Sequence, residues 1–152
     1  MNFANPSLRI GGAITEPNIQ EEKDSMESIY SGLFTELGLV CVSETQTKIC
    51  WGNEAFVMEF HFDCRYGRMV YGGMYLHFAN RPKPYRLNEL VEFHDAEGRK
   101  YSEITRPHRE KNQIDLRTHL ALIESHLVRL LRSGEMSWEE GFRGYLAAKF
   151  PY

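Results

Sequence analysis

The sequence predicts an α+β fold: a four-stranded antiparallel meander packed against an N-terminal helix and C-terminal helices. Three observations carry that expectation. From Ala55 to Phe78 residues alternate around a glycine turn, with Phe56, Met58, Phe60 and Phe62 on one side of the first strand and Val57, Glu59, His61 and Asp63 on the other. Ahead of that hairpin, Met26, Ile29, Tyr30, Leu33, Phe34 and Leu37 recur at the three-and-four spacing of an amphipathic helix. Behind it, Leu116, Leu120, Ile123, Leu127 and Leu130 repeat the helical spacing.

Residues 1–18 contain Asn5-Pro6 and Gly11-Gly12 and too few spaced apolar side chains to define an element, so they read as a flexible leader to a single domain over 19–152. The first helix stops at Gly38; Asp24 with Glu27 offers a capping pair, and Pro17 permits an earlier start. Leu39 to Ser43 and Lys48 to Trp51 are short strands around a polar turn. In the long hairpin, a three-residue connection of Arg65, Tyr66 and Gly67 puts even-numbered residues of both strands on one face. Phe62 then faces Val70, Phe60 faces Gly72, Met58 faces Met74 and Phe56 faces Leu76, while His61 pairs with Tyr71 and Glu59 with Gly73. Gly72-Gly73 reads as a place of close packing or a bend.

Two prolines between Arg81 and Pro84 break the strand pattern, and Tyr85, Leu87, Leu90 and Val91 then suggest a short helix capping the sheet. His94 to Lys111 is charged and irregular, the longest expected loop. A long helix follows from about Gln113, capped by Asn112, to Ser133, and Gly134 ends it. Ser137-Trp138-Glu139-Glu140 carries a capping-box signal for a last helix packing Trp138, Phe142, Tyr145 and Leu146 inward.

Composition excludes several classes of function. With 152 residues, 42% hydrophobic and 26% charged, the chain has a globular composition and can build its core without a metal or disulfide. No apolar run approaches the roughly 20 residues of a membrane span. A net charge of −3, with 18 basic and 21 acidic side chains interleaved, argues against nucleic acid as a partner. The three cysteines, Cys41, Cys50 and Cys64, match no zinc or redox spacing and no secretory signal is visible, so the expected compartment is the cytoplasm. Phosphate-loop, dinucleotide and nucleophile-elbow motifs are missing from the sequence.

Candidate chemistry concentrates on the polar side of the hairpin. Glu59, His61 and Asp63 alternate there, and imidazole with carboxylates can ligate a metal or transfer protons. The same alternation is what any solvent-facing strand shows. In the inferred register His77 lies opposite Ala55, about 20 Å along the ladder from His61, too far to share an ion with it. His119 and His126, seven residues apart on one helix, are similarly separated by about 10 Å. Cys64 beside Arg65 is a weak candidate for an activated thiol. At 12% aromatic, with Tyr66, Tyr71, Tyr75 and Tyr85 near the polar face or its turns, the chain is better equipped for binding.

The order of Leu33-Phe34, Leu37-Gly38-Leu39, the strand entering Phe62-Asp63-Cys64-Arg65-Tyr66-Gly67, Tyr85-Arg86-Leu87-Asn88-Glu89-Leu90 and the leucine-rich helix resembles small bacterial immunity proteins, which bind and neutralise a toxin encoded beside them. That resemblance covers roughly Ile29 to Leu131 and implies a non-enzymatic inhibitor without cofactor, whose partner is a cognate protein such as a secreted toxin domain. The expected contact residues are Glu59, His61, Tyr71 and Tyr75 on the sheet, then Arg106 and Arg109 in the loop. Two other readings stay open: a small metal-dependent hydrolase using Glu59, His61 and Asp63, and a structural subunit pairing with a second copy as a homodimer.

Overall fold

The structure, a computed structural model, describes residues 19–108 and 116–150. The expected leader, the Asn112 cap and Arg109 lie outside those residues. Within them the chain is α+β, built on one antiparallel sheet in strict meander order. Helix α1 (Ile19–Glu36) is followed by β1 (Val40–Glu44), β2 (Lys48–Gly52), β3 (Phe56–Arg65) and β4 (Arg68–Phe78). A fifth strand, β5 (Tyr85–Arg86), joins the edge of β4, so the sheet has five strands and not four. Two residues are too few for alternation to reveal.

α1 begins well before Asp24, which sits inside the helix and accepts a hydrogen bond from Gln20. It buries Met26, Leu33 and Phe34, and Phe34 stacks on Trp51 of β2 with ring centroids 4.5 Å apart. Asn53 then fixes the β2–β3 turn: its side chain donates to the Leu37 carbonyl and accepts from the Ala55 and Phe56 amides.

The β3–β4 hairpin closes differently from the expected register. Arg65 pairs with Arg68 across a two-residue turn whose residues, Tyr66 (φ +52°) and Gly67 (φ +73°), are both left-handed, the geometry that suits the twist of a tight hairpin. A two-residue turn alone would set odd residues of one strand against even residues of the other. The parity is recovered farther in, because Gly72 is an extra residue: Phe62 pairs with Tyr71, whereas His61 pairs with Gly73. Beyond this bulge Phe60 faces Met74, Met58 faces Leu76 and Phe56 faces Phe78. All six are buried, with Phe60, Met58 and Leu76 fully so.

The segment after β5 is more ordered than its composition suggests. Helix α2 (Leu87–Phe93) buries Leu87, Leu90 and Val91 as expected, but a short helix α3 (Tyr101–Thr105) and a 3₁₀ turn (Arg106–His108) occupy what reads as an irregular loop. The C-terminal helix runs as α4 (Leu116–Leu122), a π-helical segment (Ile123–Leu127) and α5 (Val128–Ser133). The wider π turn advances the buried stripe by one residue, so Leu127 is followed inward by Leu131, and Leu130 is only half-buried.

Helix α6 (Glu139–Lys149) starts without the expected capping box: Trp138 is its cap, and Ser137 hydrogen-bonds Glu135. Glu139 has a different task. Its carboxylate accepts from Arg81 at 2.6–2.9 Å and from the Tyr85 hydroxyl at 2.6 Å, tying α6 to the chain leading into β5. Arg81 above all holds the Glu139 carboxyl down at about 2. Phe142 is buried under this bridge among Phe93, Trp138, Tyr85 and Tyr145.

Candidate functional site

The phenylalanine side of the sheet is covered by helices, and the other side is where the predicted contact residues were placed. Glu59 and His61 are there. The Glu59 carboxylate accepts from Lys48 at 3.4 Å on β2 and is hydrogen-bonded to His61 Nε2 at 2.7 Å. His77 Nε2 lies 3.5 Å from the same carboxylate oxygen. The actual register therefore brings both imidazoles to one carboxylate, because it sets His77 opposite Val57, two residues from Glu59, where the predicted register sets it opposite Ala55. Burial works against a charge on Glu59, but the His61 bond and the Lys48 ammonium outweigh it and hold the carboxyl below its ordinary value.

Tyr75 completes the outer cluster, its ring edge-on to His61 with centroids 5.2 Å apart. Asp63 does not join: its carboxylate accepts from Arg65 at 2.8 Å. Among the described residues no group of three His, Cys, Asp or Glu side chains is arranged to hold a metal ion. All three cysteines are free, with Cys50 buried opposite Glu59 and Cys64 exposed.

Tyr71 is the residue the sequence reading misplaces. The Gly72 bulge turns it to the helix-covered side, where it packs on Phe60 and Phe62 and its hydroxyl meets His119 Nδ1 at 2.6 Å. His119 Nε2 in turn meets the Tyr101 hydroxyl at 2.9 Å. A neutral imidazole has one donor and one acceptor, so one phenol donates to the ring and the other accepts from it. Burial, then the neighbouring Tyr101, pushes the Tyr71 phenol well above its ordinary range and keeps it protonated. Tyr101 is itself set in place by its backbone amide, which donates to Glu92 at 2.6 Å.

This Tyr71–His119–Tyr101 row borders a cavity of about 370 Å³ at the exposed flank of β4. Gly72, Gly73 and Tyr75 of β4 line it together with Arg86 of β5 and Asn88 at the start of α2. No local spacing signals the pairing of Tyr101 with His119, since His119 takes its partners from α3 and β4. Gly72-Gly73 was the available clue: a glycine pair inside a strand marks a bulge, and a bulge exchanges faces.

Arg106 is exposed on the 3₁₀ turn. A second polar cluster joins the segment after α2 to the π segment. Asp95, buried, accepts from the Arg99 backbone and guanidinium and is bonded to His126 Nε2 at 2.9 Å, while Ser125 Oγ meets His126 Nδ1 at 2.7 Å. The Arg99 guanidinium holds the Asp95 carboxyl far below its usual range. Although a serine, a histidine and an aspartate are in a row, Ser125 lines none of the cavities described and the arrangement acts as a clamp between elements.

No family model matches the chain, and no match was found among curated proteins or solved structures. No described helix is long and apolar enough to cross a membrane.

Proposed function

We propose that this chain is a non-enzymatic protein-binding domain of the immunity-protein kind, which acts in the cytoplasm by holding a cognate bacterial toxin through direct contact. The observation that carries the reading is the outer sheet cluster of Lys48, Glu59, His61, Tyr75 and His77. These side chains are half-buried; hydrogen bonds join Lys48, Glu59 and His61, and Tyr75 packs edge-on against His61, so the cluster is restricted before any partner arrives. Restriction in the free state lowers the ordering cost of association, and a central aromatic flanked by charge is the usual composition of a binding hot spot.

Size sets a condition on the interface. β1 to β4, five to eleven residues long, give roughly 500 Å² of flat area at ~4.8 Å between strands and ~3.3 Å per residue. A specific complex buries about 800 Å² on each side. The remainder has to come from flanking loops, Arg106 being the loop residue favoured for it.

The test is affinity capture from the native cell with two baits, the wild-type chain and the His61→Ala/Tyr75→Ala variant, the fold of each checked by urea unfolding. One secreted protein retained by the first and lost at least ~tenfold by the second is the expected result. Equal retention would remove the outer face from the reading. Stoichiometric zinc or manganese that disappears on His61→Ala would instead favour a hydrolase, and a concentration-dependent dimer by light scattering would favour self-association on this face.

A further inference from the structure

The cavity beside the bulge has two properties that the outer-face reading does not use. First, β5 pairs with β4 only at Tyr75 and Leu76, so among the described residues no strand runs along that side of β4 from Met69 to Met74. An edge of this kind offers backbone amides and carbonyls to an incoming extended chain. Gly72 and Gly73 put no side chain between that edge and a visitor, and the φ of +134° at Gly73 is one that side-chain-bearing residues rarely adopt. Second, the cavity has a sign. Arg86 lines it and makes no ion pair with a described residue, the phenols and imidazole add hydrogen-bonding groups, and no Asp or Glu is among its lining residues.

We infer that this flank of β4 is a strand-docking site that takes an extended peptide segment of a partner protein and seats one acidic side chain of that segment against Arg86. The occupant is chosen by complementarity. An apolar side chain would gain nothing from the guanidinium, and a basic one would meet Arg86 directly; a carboxylate gains a charge-assisted bond. A free anion fits the charge but leaves the edge of β4 unused. The cavity is large enough for one side chain with its flanking backbone, and β5 already holds β4 at Tyr75 and Leu76, so the incoming strand would lie alongside β4 from Met69 to Met74. This inference holds whether or not the outer face itself docks a toxin.

The experiment uses the full chain as bait for a displayed library of random eight-residue peptides. The expected result is an enriched pattern of alternating strand-forming residues with one invariant Asp or Glu. A synthetic peptide of that pattern should shift the backbone amide resonances of Tyr71 to Met74. Replacing its acid by the amide, or Arg86 by Gln in the protein, should each weaken binding at least ~tenfold, and the two changes together should cost no more than either alone. Arg86→Gln removes no ion pair with a described residue and should leave the unfolding midpoint unchanged. Failure to enrich any peptide, enrichment without an acid, or binding indifferent to Arg86→Gln would overturn the inference. So would sodium acetate competing at the site while the peptide leaves the Tyr71 to Met74 amides unmoved, since that describes a small-anion pocket only.

Discussion

Tyr66 stands in the left-handed region with its side chain fully exposed, so it contributes strain without contributing packing. Tyr66→Asn, a residue that tolerates this conformation, should raise stability by about 0.5–1 kcal/mol in urea unfolding. Glu139 is the opposite kind of residue, a nearly buried carboxylate whose charge is matched. Its folded-state value of about 2 lies below the ordinary 4.5, so its contribution is complete above pH 4.5 and is lost as pH falls toward 2. Glu139→Gln should therefore show a flatter loss of stability across that window than the wild type, read from unfolding midpoints at successive pH values. Arg81→Ala at neutral pH should lower the urea unfolding midpoint, but by less than the loss of one partner from a fully buried pair, because Arg81 is 34% exposed on its side chain. Single-residue roles were only partly legible in the sequence. Glu59 and His61 could be placed because alternation alone determines their face. Tyr71, His119, Tyr101 and Glu139 take their partners from distant segments, which no local spacing records.

At the scale of elements, periodicity located what is long and regular. The stripe from Met26 to Leu37 and the alternation from Phe56 to Phe62 reflect repeated burial, so α1 and β3 follow from composition and spacing. β5 and α3 are too short to repeat anything, and the π segment changes the period itself, which is why Leu131 replaces Leu130 in the core. Register depended on a single count at the turn. Taking three residues in place of two moved every predicted pair, and only the compensating bulge at Gly72 returned Phe60, Met74, Met58 and Leu76 to one face. Phe60 is fully buried in the inner ladder, so Phe60→Ala should lose about 3–5 kcal/mol in chemical unfolding, far more than any outer-face substitution.

For the molecule as a whole, a one-sided arrangement follows from these parts. The helices cover the phenylalanine face, the opposite face keeps its charged and aromatic cluster, and the flank of β4 from Met69 to Met74 is left without a strand partner among the described residues. Both proposed surfaces therefore meet at β4, and both depend on the bulge that sends Tyr71 inward while Tyr75 stays outside. Through-space proton contacts in the isotopically labelled full chain test that arrangement directly. The fold predicts contacts from the Tyr71 ring to His119 and Phe62, and from the Tyr75 ring to His61. Contacts between the Tyr71 ring and His61, with none to His119, would contradict it and remove the basis of both surfaces.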